Sequence, residues 1–456
     1  MKKLIVAAVV SSITACWGQG MLSPSLNALV DGTLSVQGTP VVNMWKAPYP
    51  QRYVPHTGFP TLDRATHTLI YQPQPVSGNE GWGYSHHSQL IYHKGRFAAL
   101  WSSNWHGEDA PGQRVLFSSS PDALEWSDPV EIFPSPDEVK EWEASGFYMC
   151  PIGLRVLDGV LYACAALYED VGWENAECTE VVAIRDQDHV FRKRKFHDII
   201  VRVVGDDDSF GPFFAIGEKS APVGVKYDIV SYKDVSSKEV ADVLWEKLDR
   251  ALCRPALTAV DKARLSEPTS YQAPGGEMVC LFRDDFYSHR MYVCHSDDDG
   301  KSWSVPQPTN IPDAPSLART LALDDGTVLL IGNQNAALEN IDEPVPPHLG
   351  RDPLTVAVAE NGYEFTRAYA LRSGKQKQLI PNVHGRGKTG GQYPSAVVHD
   401  GTLYVLYSMG KEAIWISQVP LSDLGIEVVN SNEGENDELD ENHADDGNGV
   451  WWRFWR

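Results

Sequence analysis

Three observations predict an all-β chain folded as a seven-bladed β-propeller of four-stranded antiparallel blades. The first is a recurring turn, at Lys94-Gly95, Asp158-Gly159, Gly275-Gly276, Asp325-Gly326 and Asp400-Gly401, each set between two runs of strand character. Four-stranded units repeating at roughly 50 to 60 residues are the mark of propeller blades. The second is a polar turn at Ser296-Asp297-Asp298-Asp299-Gly300-Lys301-Ser302-Trp303, with Ser, Asp, Gly and Trp at positions one, three, five and eight. Such a turn needs glycine in the left-handed conformation and lets the tryptophan pack back under the blade. A degenerate copy at Ser120 to Trp126 lacks the glycine and is one residue shorter. Both copies fall between the third and fourth strands of their units. The third observation is composition: 14 Trp and 18 Tyr among 456 residues point to a large β core, and propellers of this length form one domain.

Residues 1–20 read as an export signal, with Lys2-Lys3, an apolar run from Leu4 to Val10 and small residues up to Cys16. The run is too short to persist as a membrane-spanning helix. Ile13-Thr14-Ala15-Cys16 also has the form of a bacterial lipobox, which would lipidate Cys16; cleavage near Gly20 is the alternative. The mature protein is therefore expected to be secreted, periplasmic or lipid-anchored at the cell surface. Pro and Gly in residues 21–59 predict an irregular lead-in, and the propeller spans 60–424. The spacing from Gly159 to Gly276 leaves room for a poorly marked blade within Val201 to Val230, followed by a helical insertion at Ser236 to Leu252. His67 to Tyr71 completes another blade, which brings the count to seven, with six as the alternative. Nine acidic residues between Glu427 and Asp446, with no Lys or Arg among them, make 425–456 an acidic disordered tail. A formal net charge of −22 argues against nucleic acid as the partner, and the single domain is expected to act as a monomer.

The densest chemistry lies in Gly83 to Arg114. Ser88 to Tyr92 and Arg96 to Ser102 read as a hairpin turning at Lys94-Gly95, which brings His86, His87 and His106 to one end. With Glu108-Asp109, Trp101 and Trp105 they suit the lining of a carbohydrate cleft with acid and base groups. First strands begin, and loops from second to third strands lie, on one propeller face. That face would collect His86, His106, Tyr148, Tyr168, Arg283, Arg319 and Tyr393. Arg283 and Arg319 are candidates to hold carboxylate or sulfate, since a planar guanidinium binds either through two bonds. An ion pair with Asp284 or Asp285 is the structural alternative for Arg283, as core packing is for Tyr148 and backbone bonding for His86.

Tyr84-Ser85-His86-His87, Glu108 to Gln113, Arg351 to Ala357 and Gln392-Tyr393-Pro394-Ser395-Ala396 resemble the Asp-box, sialidase-like propeller superfamily over most of residues 60–424. Within that group, histidines about twenty residues apart followed by a tyrosine on the next blade look like the ulvan lyases, whose fold is a seven-bladed propeller. The resemblance implies cleavage of a sulfated polysaccharide by β-elimination between 3-sulfated rhamnose and a uronic acid. It places His86 or His87, His106 and Tyr148 in the catalytic positions. Those lyases carry an arginine soon after the tyrosine; here Arg155 stands earlier and Arg185 later, with Tyr168 at the nearby strand end.

Elimination at a uronate needs a base near the C5 proton, an acid for the oxygen leaving C4, and a group that offsets the carboxylate charge. Histidine and tyrosine supply the first two near neutral pH without a cofactor. The substrate would be an anionic polysaccharide. A sialidase-type glycosidase is the alternative: it would use arginines around a carboxylate and a tyrosine nucleophile paired with Glu, for which Arg283, Arg319 and Tyr393 are available, although the Arg-Ile-Pro motif is absent. A non-catalytic glycan-binding propeller is the third reading. Finally, Cys280 and Cys294 stand opposite each other across a hairpin. Buried thiols are the first reading, and a structural zinc with His189 or His295 the second.

Overall fold

The computed structural model describes residues 22–36, 38–51, 54–78, 80–105, 107–135, 146–172, 180–185, 190–215, 265–284, 288–300, 302–335, 351–374, 376–380 and 390–427; within 171–198 and 212–215 it describes the backbone alone. The second residue of every turn named above is a glycine with a positive φ: Gly95 78°, Gly159 72°, Gly276 95°, Gly326 84° and Gly401 66°. A side chain is strained in that conformation, so glycine at these sites lets the chain reverse tightly and two strands pair.

The strands are β1 (Val30–Val36), β2 (Thr39–Val42), β3 (Thr66–Tyr71), β4 (Tyr84–His93), β5 (Arg96–Asn104), β6 (Arg114–Ser120), β7 (Val130–Phe133), β8 (Phe147–Leu157), β9 (Val160–Gly172), β10 (Glu180–Arg185), β11 (Val190–Val204), β12 (Phe210–Ala215), β13 (Leu265–Gln272), β14 (Met278–Asp284), β15 (Arg290–Ser296), β16 (Gln307–Pro312), β17 (Arg319–Ala322), β18 (Val328–Gly332), β19 (Leu354–Ala359), β20 (Arg367–Arg372), β21 (Gly391–His399), β22 (Thr402–Met409) and β23 (Ala413–Pro420). Among the described residues they form five sheets: β4 to β7; β8, β9 and β11 with β10 and β12 sharing the outer edge of β11; β13 to β16; β17 to β20; and β21 to β23 with β3 as the fourth strand. His67 to Tyr71 thus completes a blade as expected. Val201 to Ala215, expected to open a separate blade, instead supply the outer strands of the second sheet. The expected helical insertion at Ser236 to Leu252 lies outside the described residues, as do the export signal with Cys16 and the acidic stretch beyond Glu427. No helix among the described residues is long and apolar enough to cross a membrane.

Side chains alternate between the two faces of each strand, and apolar layers form wherever neighbouring sheets meet. Leu100, Phe117, Met149 and Leu154 join the first two sheets. Val279, Leu281, Leu330 and Ala357 join the third and fourth. Leu329, Val356, Leu403 and Tyr407 join the fourth and fifth. Leu90, Trp101, Leu406 and Ile414 join the fifth and first. Trp101, expected to line the cleft, is fully buried in this last layer with its ring centroid 5.6 Å from that of Tyr71.

Both ends of the expected domain differ from the structure. The lead-in contains the β1–β2 hairpin, whose β2 pairs in parallel with β16, and it inserts Trp45 and Phe59 into the third-to-fourth-sheet layer. At the other end Gly425 (φ 71°) caps a short turn at Leu421–Leu424, and both Leu424 and Ile426 pack into the layer between the fourth and fifth sheets. The fold therefore extends to Ile426, past the expected limit at 424.

The polar turns form as expected. In the complete copy Asp298 Oδ1 accepts from Ser302 N at 2.8 Å, Trp303 Nε1 donates to Gly300 O at 3.0 Å, and the indole packs with Phe282 and Cys294. In the degenerate copy Asp122 Oδ1 accepts from Leu124 N at 2.8 Å and Glu125 N at 2.9 Å, and Ala123 takes the left-handed conformation itself (φ 61°).

Candidate active site

Three first strands break their ladders near their starts, on the face opposite the polar turns. The register slips between His86 and Gln89 in β4, between Ser266 and Thr269 in β13, and between Gln392 and Ser395 in β21. Inside each slip one residue that is not glycine takes a left-handed φ: His87 (56°), Glu267 (47°) and Tyr393 (57°). A bulge of this kind re-aims a side chain that a regular strand would point elsewhere. Pro268 and Pro394 follow two of the three, and a proline at a bulge removes a donor that the ladder is not using. Asp109 (φ 50°), between β5 and β6, and Lys411 (φ 55°), between β22 and β23, adopt the same conformation. Each such residue costs about 1–3 kcal/mol, which the surrounding packing has to offset.

The bulges bring Tyr393 and Glu267 together although they are 126 residues apart in sequence. The Tyr393 hydroxyl donates to Glu267 Oε1 at 2.6 Å and accepts from Arg283 Nη1 at 3.0 Å. Arg283 also pairs with Glu267 and donates from Nε to Ser266 Oγ at 3.0 Å. The Arg351 guanidinium lies 5.0 Å from the Tyr393 ring centroid, held by Gln392 Oε1 at 2.7 Å and Pro315 O at 2.8 Å. Burial first, and then the Glu267 charge, push the Tyr393 phenol well above its ordinary range against the pull of the two arginines. The hydroxyl is therefore neutral at rest, with a carboxylate placed to take its proton. Asp313 is buried nearby, and burial raises its carboxyl well above the usual range despite Arg283 and Arg351.

On the other side, the His86 ring lies 3.9 Å from the Tyr393 ring, centroid to centroid, and His87 lies 4.8 Å from His86. Ser408 Oγ holds His86 Nδ1 at 2.6 Å, and Ser102 Oγ holds His87 Nδ1 at 2.9 Å. Glu108 Oε1 faces both rings, 3.8 Å from His86 Nε2 and 4.0 Å from His87 Nε2, while its other oxygen pairs with Lys411. Burial, followed by the positive charge of Lys411, drives His86 well below its ordinary value, so the ring is neutral. Burial opposes the Glu108 charge, but Lys411 and then His87 hold this carboxyl below its usual value.

Of the residues expected from sequence, His86, His87, Arg283 and Tyr393 converge here. Tyr148 and Tyr168 pair across β8 and β9 with stacked rings 5.5 Å apart, buried in the apolar interior of the second sheet. Arg319 is buried at the start of β17. It is Arg351, absent from the expected set, that lies against the Tyr393 ring. The Arg185 backbone belongs to β10, but its side chain, His106 and His189 lie outside the described residues. Cys280 and Cys294 do stand directly opposite each other, as buried thiols. The groups of His, Cys, Asp and Glu spaced to hold a metal among the described residues lie elsewhere, at His86, His87 and Glu108 and at His87, Asp109 and Cys150. Glu267 and Arg351 were missed as site residues. The available signal was proline inside a strand, in Glu267-Pro268 and Tyr393-Pro394, which marks a bulge.

Two family models match parts of the chain: a BNR repeat-like domain over residues 232–405 and a BT_1020-like N-terminal β-propeller over residues 70–147. No curated protein matches it in sequence. Among solved structures, one titled sialidase superposes with a TM-score of 0.60 at 20% identity, covering 83% of this chain and 35% of its own length. A protein of unknown function from Dyadobacter fermentans superposes at 0.46 with 15% identity, covering 78% of this chain and 98% of the other. A Trypanosoma rangeli sialidase mutant displaying trans-sialidase activity superposes at 0.44 with 12% identity, covering 80% and 60%. The chain thus spans about a third of the length of the first of these. The fold is that of the sialidase-like β-propellers.

Proposed function

We propose that this protein is a glycan-active enzyme that acts on sugars bearing a carboxylate and uses Tyr393 as its nucleophile. The observation that carries the reading is the Tyr393 hydroxyl, 2.6 Å from Glu267 and 3.0 Å from Arg283. Arg283 and Arg351 offer guanidinium groups to the substrate carboxylate. A neutral phenol can approach an anomeric carbon beside that carboxylate without the repulsion that an ionised nucleophile would meet. As the Tyr393 oxygen bonds to this carbon its proton passes to Glu267, and the departing oxygen takes the proton of Asp313, the neighbouring carboxyl that burial keeps protonated. Water then attacks the anomeric carbon and gives its proton to the Asp313 carboxylate, while Glu267 returns its proton to the phenol. The natural partner is an anionic polysaccharide met after export. Six blades, the alternative to seven, fit the five sheets and four joining layers, with one interval between β12 and β13.

A second reading, β-elimination at a uronate as in the ulvan lyases, is favoured by one observation: two histidines face one carboxylate oxygen at 3.8 and 4.0 Å. One experiment separates the two. The full chain is incubated with glycosides of carboxylate-bearing sugars and with ulvan, following released reducing ends and the ultraviolet absorbance of a new C4–C5 double bond. Reducing ends without the absorbance are expected. The absorbance on ulvan would replace the glycosidase reading with the lyase, and neither signal on any carboxylate-bearing glycan would leave a binding protein.

A further inference from the structure

We infer that His87, Asp109 and Cys150 form a binding site for a divalent transition-metal ion of the zinc class, which clips the first two sheets together beside Tyr393. One ligand atom from each of the three side chains lies within 4.8 Å of the others. Cys150 Sγ is 3.7 Å from His87 Nδ1. Two ligands at zinc distances in tetrahedral array stand roughly 3.5 Å apart, so a small movement completes the geometry. Nitrogen, oxygen and sulfur donors together suit zinc or cobalt rather than calcium or magnesium. The charges also balance, because a thiolate and a carboxylate neutralise a divalent ion in a buried setting. Ser102 Oγ reaches the same His87 nitrogen at 2.9 Å and gives way when the ion binds.

An independent observation points to the same place. The Tyr84 hydroxyl is fully buried and makes no hydrogen bond among the described residues. Its ring lies 6.3 Å from the ring of His87, centroid to centroid. Three protein ligands leave a zinc-class ion one position short of four, and the Tyr84 oxygen is available to fill it or to orient a water that does. The alternative set at His86, His87 and Glu108 is disfavoured because Lys411 already neutralises Glu108. His87 and Asp109 belong to the first sheet and its loop and Cys150 to β8 of the second, so the ion would bridge two blades. This site is separate from the Cys280–Cys294 pair.

Cobalt titration of the full chain under reducing conditions tests the inference. The expected result is one equivalent bound with a near-ultraviolet thiolate-to-cobalt band, displaced by zinc. Cys150→Ser should abolish the band and Cys280→Ser should keep it. Asp109→Asn should weaken cobalt affinity by about tenfold or more, and this variant decides the matter if circular dichroism shows Cys150→Ser unfolded. A wild-type chain with no band, a band that survives Cys150→Ser, or unchanged affinity in Asp109→Asn would overturn the site. The readout is independent of glycan turnover, so failure of the proposed function leaves this test intact.

Discussion

The two sides of the candidate site are built on different principles. On the Tyr393 side the phenol has a donor and an acceptor, and Arg283 is fixed by both Glu267 and Ser266. On the histidine side His86 Nε2 and Tyr84 Oη are buried without hydrogen bonds among the described residues. Hydrogen bonds completed at the phenol hold it in one geometry, whereas a buried polar atom without a partner costs about 1–3 kcal/mol. The first side is thus organised in advance for one chemical step. The second keeps capacity for something that arrives, whether substrate oxygen or metal ion.

The largest effect should come from breaking the organised side. Tyr393→Phe removes one oxygen and is expected to lower turnover on a carboxylate-bearing glycoside by about 10³-fold, with thermal unfolding within a few degrees of the parent. Loss of fold, or turnover within tenfold of wild type, would show that the phenol is structural. Arg351→Lys keeps the charge but loses the planar fork, and should raise KM about tenfold or more for charged substrates while sparing neutral ones. Equal effects on both would remove Arg351 from carboxylate recognition.

On the histidine side the sharper probe is pH. Because Glu108 is held below its ordinary value near 4.5, its pairing with Lys411 adds stability above that value, and the contribution is lost as pH falls through the lower value in the folded protein. Lys411→Met should start this loss at higher pH and cost about 1–3 kcal/mol near neutrality, since it leaves a part-buried charge without its partner. Urea unfolding at about pH 6 and about pH 3.5 measures both. Parallel pH profiles would mean that Lys411 does not hold Glu108. Away from the candidate site, a chain ending at Glu427 should match the full chain, while one ending at Asp423 loses Leu424 and Ile426 and should be less stable by about 2–5 kcal/mol. Equal denaturation midpoints would return the boundary to 424.

What the sequence made legible was local. A turn needing a left-handed glycine, or a polar loop ending in Trp303, is written in neighbouring residues, and so was the hairpin that sets His86 and His87 at one end. The pairing of Tyr393 with Glu267 is written nowhere locally, since it depends on two bulges 126 residues apart facing a common centre. Arg351 illustrates the same limit: only the course of the loop from Asp313 to Ala318 puts the Pro315 carbonyl where it anchors the guanidinium. Trp101 looked like a cleft residue because it neighbours the site in sequence, and strand alternation sent it into the core.

The strand β3 carries a consequence for how the chain matures. It pairs with β23 along Thr66 to Tyr71, and His67 Nδ1 meets Ser417 Oγ at 2.7 Å across 350 residues of intervening sequence. The earliest-made strand of the five sheets' repeating units must therefore wait, without its neighbour, until almost the whole fold has been synthesised. Contacts of such long separation slow folding and prolong the exposure of an unpaired edge. Thr66, His67 and Thr68, ahead of Leu69 and Ile70, give that waiting segment a polar first half, which lowers its tendency to pair with another chain before its own partner emerges.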